Sequence, residues 1–546
     1  MTTLRNSRKK LENIINETIS FAVGDLVVHY NYGIGRFTGL ETVDVLGIKH
    51  DFLVLVYDGG NKLYIPVENI ELLSRYVSDT EAAILDKLGG TSWQIRKARL
   101  QNRIKLAAEE LLKTAAEREI KTVTSFSATN SMYEEFCAKF PYIETDDQLS
   151  AIKEIEEDLA AGKPMDRLVC GDVGFGKTEV ALRAAFIVAV AENSLKPQVA
   201  VIVPSTLLAR QHYLTFKERF TGFPIKIALL SRMVSDKEAA IVKQELANGS
   251  INIIVGTHAI LNKNIEFKNL QLIIIDEEHH FGVAQKERLK QLRFDIHILT
   301  LSATPIPRTL QMLLVGIKKL SLITTPPIDR IAVRTFIMPF DGIVIKEAIL
   351  REYNRGGKIF YVCPKIADLA EVHDILKTLV PSIRIIVAHG QMHASKLDDI
   401  MNAFCNGEYD LLLSTLIVES GLDIANANTI IVHRADVFGL AQLYQLRGRV
   451  GRGKIRAYAY LTLPIKKILS KTALARLEIM RTLDSLGAGF SLASYDMDLR
   501  GFGNLVGEEQ SGHIKEVGVE LYRDMLKEAV EALVNEKEFI NVDERN

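Results

Sequence analysis

The stretch RLVCGDVGFGKT at residues 167–178 decides the fold of the central part of the chain. Its apolar start predicts a short buried strand, and KTEVALRAAFIVAVAE at 177–192 predicts the helix that follows. Residues 171–178 between them match the pattern G-x-x-x-x-G-K-[ST] in full, in the strand–loop–helix context that this pattern requires. Glycines let the backbone N–H groups of such a loop wrap a phosphate, and the helix N-terminus adds partial positive charge.

The sequence therefore predicts an ATP-binding phosphate loop. Lys177 is expected to reach the β- and γ-phosphates, and Thr178 to ligate Mg²⁺. A chance glycine turn is the alternative, and the flanking strand and helix argue against it. The predicted ATP contacts of the loop are Gly171, Asp172, Val173, Gly174, Phe175, Gly176, Lys177 and Thr178.

Strands alternate with helices on both sides of this loop. The first series of apolar strand candidates lies at 167–170, 198–205, 251–257, 271–278 and 296–304. The second lies at 358–364, 384–390, 409–415, 429–436 and 456–463. Continuous apolar strands between amphipathic helices indicate a parallel sheet covered on both faces. We therefore expect two tandem α/β lobes, joined by the proline-containing segment 324–333.

The flanking regions have a different character. Residues 21–73 alternate apolar and polar residues between turn signals, which predicts a small all-β barrel. Residues 91–120 read as one long helix. The expected organisation is a tail at 1–20, a β-barrel at 21–76, a linker with a helix at 77–122, lobe 1 at 123–325, lobe 2 at 326–465 and a helical module at 466–546.

Composition excludes several classes of protein. The 546 residues carry a net charge of −1, which excludes a uniformly basic nucleic-acid coat but permits a local basic groove. The four cysteines lie far apart without a C-x-x-C pair, so neither a disulfide framework nor a zinc module is indicated. No apolar run approaches the roughly 20 residues of a membrane span, and the N-terminus is no signal peptide. We therefore expect a cytoplasmic protein.

Two acidic residues at a strand end complement the phosphate loop. Asp276 and Glu277 follow the apolar strand QLIII about 100 residues downstream of it. Asp276 is expected to hold Mg²⁺ together with Thr178, and Glu277 to accept the proton of the attacking water. A solvated strand end is the commoner explanation of such a run by itself, but its pairing with the phosphate loop favours catalysis.

Further candidates surround this predicted centre. Ser302, Ala303 and Thr304 end the next strand and are suited to link the nucleotide site with the lobe interface. The amide of Gln148 matches the two-way hydrogen bond that adenine offers, although a surface glutamine is the commoner explanation of this residue by itself.

Three arginines in the second lobe predict an anionic partner. The segment QLRGRVGR at 445–452 places them within six residues, where they repel one another unless an anion neutralises them. An arginine delivered across the cleft stabilises the charge of phosphoryl transfer. We therefore assign Gln445, Arg449 and Arg452 to catalysis, with a solvated basic turn as the alternative.

Together these motifs resemble those of superfamily-two helicases and translocases over about 140–463. The resemblance implies phosphate-backbone contacts to DNA that do not read bases. The implied contacts are Ser205, Thr206, Arg210, Gln211, Thr257, His258, His389, Ser414 and Thr415. It also implies lobe coupling through Ser302, Ala303, Thr304, Gly421 and Asp423, and it adds Phe140 to the ATP site. At His280 the sequence departs from the arginine that the family pattern has.

Both ends sharpen the resemblance. Residues 486–514 are similar to the translocation motif shared by the RecG and transcription-repair coupling factor families, and Arg476 stands in the hairpin before it. The implied translocation residues are Arg476, Arg500, Gly501, Gly503, Asn504, Gln510 and Ser511. The N-terminal region looks like the RNA-polymerase-interacting domain of the latter family, a CarD/Tudor-like barrel, and 91–120 resembles its relay helix.

The resemblance implies an ATP- and Mg²⁺-dependent translocase on double-stranded DNA that displaces stalled RNA polymerase. Its expected contact with the polymerase β subunit is an edge strand containing Ile34, Gly35, Arg36 and Phe37. The family's UvrA-binding N-terminal half and autoinhibitory C-terminal domain have no counterpart in the sequence, so direct UvrA recruitment is not expected. A RecG-like fork remodeller, an RNA helicase and a polymerase-binding tether with an inactive motor are the alternatives.

Overall fold

A computed structural model describes most of the two predicted lobes and of the N-terminal region. The described residues are 21, 23–45, 48–76, 85–119, 121–128, 131–191, 196–232, 234–262, 264–278, 281, 295–303, 318–328, 330–419, 424, 426–451, 453, 455–465, 468–482, 521, 525, 528, 529 and 532. The chain divides into two compact units, one containing the N-terminal sheet and the other containing both predicted lobes.

The N-terminal sheet is antiparallel and has five strands, as the alternating pattern predicts. Its strands are β1 (Leu26–His29), β2 (Gly33–Val45), β3 (Ile48–Val56), β4 (Lys62–Pro66) and β5 (Leu73–Arg75). Their order is β4-β3-β2-β1-β5. Among the described residues β4 and β5 are the two ends of this sheet, so closure into a barrel stays a prediction.

A long helix, α1 (Thr91–Glu119), follows the sheet close to its expected bounds. Its residues Trp93, Leu100 and Ile104 share one face, because their spacing of seven and four residues fits a period of 3.6. They form a buried cluster with Val28 of β1 and Ile34 of β2. The indole N–H of Trp93 also donates a hydrogen bond to the backbone oxygen of Tyr30 at 3.2 Å. The helix is therefore anchored to the sheet at its N-terminal end.

The position of β2 corrects one expectation. Strand β2 lies inside the sheet between β1 and β3, so the segment Ile34 to Phe37 is not an edge. The backbone groups of Ile34 are also already hydrogen-bonded. Its N–H donates to Asp86 Oδ2 and its oxygen accepts from the Asp86 N–H, both at 2.9 Å. Ile34 and Phe37 are 2% and 5% exposed, and Gly35 is also buried. Of the four predicted polymerase contacts, Arg36 alone is exposed.

Lobe 1 is built on seven parallel strands in the order β12-β6-β11-β10-β7-β9-β8. Its strands are β6 (Asp166–Gly171), β7 (Gln198–Ile202), β8 (Ile227–Leu230), β9 (Ile253–Gly256), β10 (Leu270–Asp276), β11 (His297–Ser302) and β12 (Lys319–Ile323). Its described helices are α2 (Ser131–Ala138), α3 (Asp146–Ala160), α4 (Lys177–Ala189), α5 (Thr206–Arg219) and α6 (Asp236–Ala247).

Lobe 2 is built on six parallel strands in the order β13-β18-β17-β14-β16-β15. Its strands are β13 (Arg334–Pro339), β14 (Lys358–Val362), β15 (Ile385–Ala388), β16 (Leu411–Ser414), β17 (Ala427–Val432) and β18 (Tyr458–Leu463). Its described helices are α7 (Gly342–Asn354), α8 (Ala367–Leu379), α9 (Ala394–Cys405) and α10 (Leu440–Arg447), and α11 (Lys471–Thr482) follows.

Both sheets confirm the expected parallel α/β architecture. Strands β8, β12 and β13 add to those that the sequence predicts, and the predicted linker 324–333 runs between β12 and β13. The central strands β6, β7, β9 and β11 are buried along their whole length, which explains their continuous apolar character. No helix in the described part of the chain is long and apolar enough to span a membrane.

Candidate active site

The predicted nucleotide motifs meet at one edge of the lobe 1 sheet. Strand β6 leads into the phosphate loop, β10 ends at Asp276 and β11 ends at Ser302. These three strands are neighbours in the order β6-β11-β10, and parallel strands bring their carboxyl ends to the same edge. The fold therefore assembles residues that lie more than 100 positions apart in sequence.

The phosphate loop has the backbone conformation that its glycines permit. Gly174 and Gly176 have φ angles of +81° and +80°, in the left-handed region that favours glycine. Lys177 Nζ donates to the backbone oxygens of Gly171 at 2.5 Å and Asp172 at 3.0 Å. Desolvation lowers the pKa of Lys177, while the carboxylates of Glu277 and Asp276 act in the opposite direction. The ammonium group therefore lies inside the loop with both predicted catalytic acids near it.

Gln148 contacts this loop and also caps a helix. Its amide nitrogen donates to the backbone oxygen of Phe175 at 2.8 Å, and its amide oxygen accepts from the Thr145 N–H at 2.9 Å. The Thr145 hydroxyl in turn accepts from the Gln148 N–H, which completes a capping box at the start of α3. Its contact with adenine, like that of Phe140, stays a prediction.

The Glu277 carboxylate is fixed by the end of β11. The N–H of Ala303 donates to Glu277 Oε1 at 3.0 Å, and the Ser302 hydroxyl donates to the other oxygen. Glu277 itself has a φ of +51°, a conformation that is uncommon for a residue with a side chain. The predicted general base is thus held in one orientation by two of the residues predicted for lobe coupling.

Asp276 has a neighbour that the sequence did not reveal. Nε2 of His212, on α5, lies 3.2 Å from Asp276 Oδ2. His212 directly follows Gln211 of a predicted DNA motif, but nothing in its local pattern distinguishes it from a core histidine. Its ring orients the carboxylate that is predicted to hold the metal.

The donor set fits Mg²⁺. Thr178 and Asp276 offer a hydroxyl and a carboxylate oxygen, which are the hard ligands that this ion prefers. Within the described ranges no group of three or more His, Cys, Asp or Glu side chains is placed to enclose a metal ion. Such a site suits an ion that completes its octahedron with phosphate oxygens and water.

Lobe 2 contains two further predicted catalytic residues, Gln445 near the end of α10 and Arg449 just beyond it, which are 2% and 4% exposed. Arg447, the last residue of α10, is 7% exposed. A Cβ atom added to Gly448 would lie 3.2 Å from Cβ of Val173, so the end of α10 packs against the phosphate loop. The structure therefore places this segment against the predicted phosphate loop, and its role in catalysis stays a prediction.

The predicted DNA contacts lie at the carboxyl edges of both sheets and differ in exposure. Ser205 caps α5 through Leu208, and Arg210 forms an ion pair with Asp398 on α9 of lobe 2. Thr257 is 5% exposed and Ser414 is fully buried. Partly exposed positions are Thr206, Gln211, His258, His389 and Thr415. Their contact with DNA stays a prediction, and Ser414 offers no accessible side-chain surface in this arrangement.

Some predicted residues lie outside the described residues. They are His280, Thr304, Gly421, Asp423, Arg452, Arg500, Gly501, Gly503, Asn504, Gln510 and Ser511. Of the translocation set, Arg476 is described, and its Nη2 donates to the backbone oxygen of Asp436 at 3.1 Å.

Three family models match the chain in the order of its sheets. The CarD-like/TRCF RID domain matches residues 21–77, the DEAD/DEAH box helicase model 145–313 and the helicase conserved C-terminal domain 343–454. A transcription-repair-coupling factor of Rickettsia bellii is 56% identical over 528 residues, which cover 97% of this chain and 47% of that protein. The chain belongs with the transcription-repair-coupling factors.

Other matches agree with this family assignment. A transcription-repair-coupling factor of Escherichia coli is 46% identical over 97% of this chain and 46% of its own length. The chain thus spans about half the length of the curated relatives it matches. The structure of RecG bound to a three-way DNA junction is similar, with a TM-score of 0.63 and 27% identity over 91% of this chain and 79% of that one.

Proposed function

We propose that this chain is an ATP- and Mg²⁺-dependent translocase on double-stranded DNA that binds RNA polymerase and displaces stalled transcription complexes in transcription-coupled repair. One observation carries the proposal: two lobes that match the DEAD/DEAH box helicase and helicase C-terminal models share a chain with a sheet that matches the CarD-like/TRCF RID domain. The two lobes would hydrolyse ATP and move along DNA, and the N-terminal sheet would bind the polymerase on which this movement acts.

Hydrolysis is assigned to the residues at the carboxyl edge of lobe 1. Lys177 and the loop N–H groups hold the phosphates, and Glu277, oriented by Ala303, accepts the proton of the attacking water. Thr178 and Asp276 would hold Mg²⁺, which neutralises charge on the phosphate oxygens. The Arg449 and Arg452 guanidiniums supply positive charge from lobe 2, so the chemistry requires both lobes together.

This requirement converts hydrolysis into movement. Residues on both lobes contact the phosphates of one DNA strand and not its bases, so binding is independent of the DNA sequence. ATP favours the arrangement in which lobe 2 meets the phosphate loop, and hydrolysis removes that preference. Arg476 and the translocation residues at 500–511 couple each cycle to movement of the duplex. Arg500→Ala or Gln510→Ala is expected to retain DNA-stimulated ATPase while losing polymerase displacement.

Polymerase binding is assigned to the N-terminal sheet. An extended segment of the polymerase β subunit can add to an open sheet edge, where main-chain hydrogen bonds provide affinity. Because β2 is internal, we assign the contact with the polymerase β subunit to β4, which is an outer strand of the described sheet. Tyr64 of β4 is 42% exposed and its hydroxyl donates to Glu41 of β2 at 3.1 Å, so its ring lies over the sheet face beside that edge.

Two measurements test this proposal. ATPase rates are compared without nucleic acid, with duplex DNA and with RNA, and stimulation by duplex DNA is expected. Co-purification with RNA polymerase is then compared for the intact chain and Tyr64→Asp, and the variant is expected to bind more weakly. Stimulation by RNA alone would indicate an RNA helicase, and absent turnover would indicate a tether with an inactive motor.

The similarity to RecG supports a second candidate, a fork remodeller. Both candidates use the same two lobes, so ATPase activity does not separate them. Binding to a three-way junction in preference to linear duplex, without binding to RNA polymerase, would favour this candidate. Binding to polymerase without a junction preference would exclude it.

A further inference from the structure

A buried hydrogen bond joins lobe 2 to the phosphate loop. The Tyr444 hydroxyl, on α10, donates to Oδ2 of Asp172 at 2.7 Å. Both residues are buried, at 4% and 6% exposure, although 272 positions separate them in the sequence. Asp172 occupies one of the variable positions of the phosphate-loop pattern, so the pattern does not account for its carboxylate.

The bond acts on the part of the loop that holds the catalytic lysine. The backbone oxygen of Asp172 accepts a hydrogen bond from Lys177 Nζ, and its side chain accepts from Tyr444. A displacement of α10 therefore pulls on a residue that contacts the lysine directly. Burial raises the pKa of Tyr444, and the Asp172 carboxylate raises it further, so the phenol stays protonated and remains the donor.

The inter-lobe linker holds the same loop from another position. Arg330 donates from Nη1 to the backbone oxygen of Val173, and its guanidinium carbon lies 5.1 Å from the centre of the Phe175 ring. A Cβ atom on Gly174 would lie 2.5 Å from Arg330 Nη1, so the guanidinium packs directly on the loop backbone. The phosphate loop is thus bound to lobe 2 through the Asp172 side chain, and to the linker through the Val173 backbone and the Phe175 ring.

We propose that Tyr444 is a positioning residue for ATP turnover: its bond to Asp172 transmits the position of lobe 2 to the phosphate loop. The proposal rests on the ATPase function proposed above. DNA that aligns the lobes seats α10, and the Tyr444 bond then fixes the loop backbone around Lys177. Nucleotide binding to lobe 1 alone does not need this bond, whereas rapid turnover with DNA does.

Tyr444→Phe tests this role because it removes one oxygen atom and keeps the ring. We expect DNA-stimulated kcat to fall about tenfold, the factor that corresponds to loss of one hydrogen bond to a charged group. The KM for ATP and the affinity for a fluorescent ADP analogue without DNA should stay within about twofold. Tyr353→Phe is the matched control, since Tyr353 is 40% exposed on α7.

Substitutions of Asp172 separate positioning from a local effect. Asp172→Asn keeps an acceptor oxygen and should retain most of the activity, whereas Asp172→Ala should resemble Tyr444→Phe. The double variant Asp172→Ala/Tyr444→Phe should be no slower than either single one, since all three lose the same bond. A thermal melt of each variant confirms that it is folded.

The outcomes separate failure of the proposed ATPase function from failure of the proposed role of Tyr444. A wild-type chain without ATPase would contradict the proposed function itself. An active wild type with Tyr444→Phe within twofold of its kcat would overturn the role of the bond. Loss of nucleotide affinity in parallel with kcat, or additive effects in the double variant, would also overturn it, because the two residues would then act separately.

Discussion

The Ser302 hydroxyl donates a hydrogen bond to Oε2 of Glu277 at 2.8 Å. Ser302 ends β11 and Glu277 directly follows β10, so two adjacent parallel strands fix the orientation of the predicted general base. Because the carboxylate is already oriented before the attacking water binds, no further entropy is lost in orienting it. Preorganisation of this kind lowers the activation barrier for hydrolysis.

Glu277→Gln is therefore expected to bind ATP and to hydrolyse it slowly. The amide keeps an oxygen for the Ala303 N–H and directs its nitrogen to the Ser302 hydroxyl, so the local fold should persist. Loss of the proton acceptor costs about 10²–10⁴ in rate. Single-turnover hydrolysis beside equilibrium nucleotide binding measures both quantities. A variant that no longer binds nucleotide would show instead that Glu277 maintains the structure of the site.

Phe37→Ala is expected to destabilise the N-terminal sheet by about 3–5 kcal/mol, since it removes a buried aromatic ring. Leu40→Ala on the same strand is the control, because Leu40 is 64% exposed and should change stability little. The chain has one tryptophan, and Trp93 is buried beside this sheet, so its fluorescence in urea follows unfolding of this region in the intact protein. Equal midpoints for the two variants would contradict the assignment of Phe37 to the core.

The same fluorescence signal tests a pH dependence. Burial, together with a smaller effect of the Lys97 charge, lowers the pKa of His29 from 6.5 to about 4. Because the folded pKa is the lower one, the neutral form is stabilised, and this contribution is complete above pH 6.5 and lost as the pH falls towards 4. At pH 5 the loss is about 2 kcal/mol, at about 1.4 kcal/mol per pKa unit. His29→Gln should flatten this dependence, and an unchanged slope in that variant would assign it to other groups.

Arg210 is predicted to contact DNA, but its observed partner lies on the other lobe. In the structure it pairs with Asp398 of α9, and Asn402 Nδ2 lies 3.4 Å from the same Oδ2. We expect Arg210→Ala to weaken duplex binding regardless of sequence and to reduce the salt dependence by about one counterion. Asp398→Asn releases Arg210 for a phosphate, so it should bind duplex at least as tightly as the wild type. Equal weakening by both substitutions would assign Arg210 to the ion pair alone.

The sequence predicted those features that depend on local pattern. The phosphate loop, the carboxylates after β10 and the alternation of strands and helices each follow from the spacing of nearby residues. Long-range partners leave no such trace, so the contacts of Tyr444 with Asp172 and of His212 with Asp276 became visible only in the fold. The placement of β2 failed for the same reason, because alternation shows that Ile34 and Phe37 belong to a strand but not which strands flank it.

The most direct test of the proposed function is release of RNA polymerase from a stalled elongation complex on duplex DNA. We expect the wild-type chain to release the transcript with ATP and not with a non-hydrolysable analogue. Lys177→Ala should still co-purify with the polymerase, because Lys177 Nζ bonds to the phosphate loop of lobe 1 whereas polymerase binding is assigned to the N-terminal sheet, but it should release no transcript. A wild-type chain that hydrolyses ATP rapidly on duplex DNA and leaves the stalled complex intact would contradict the account.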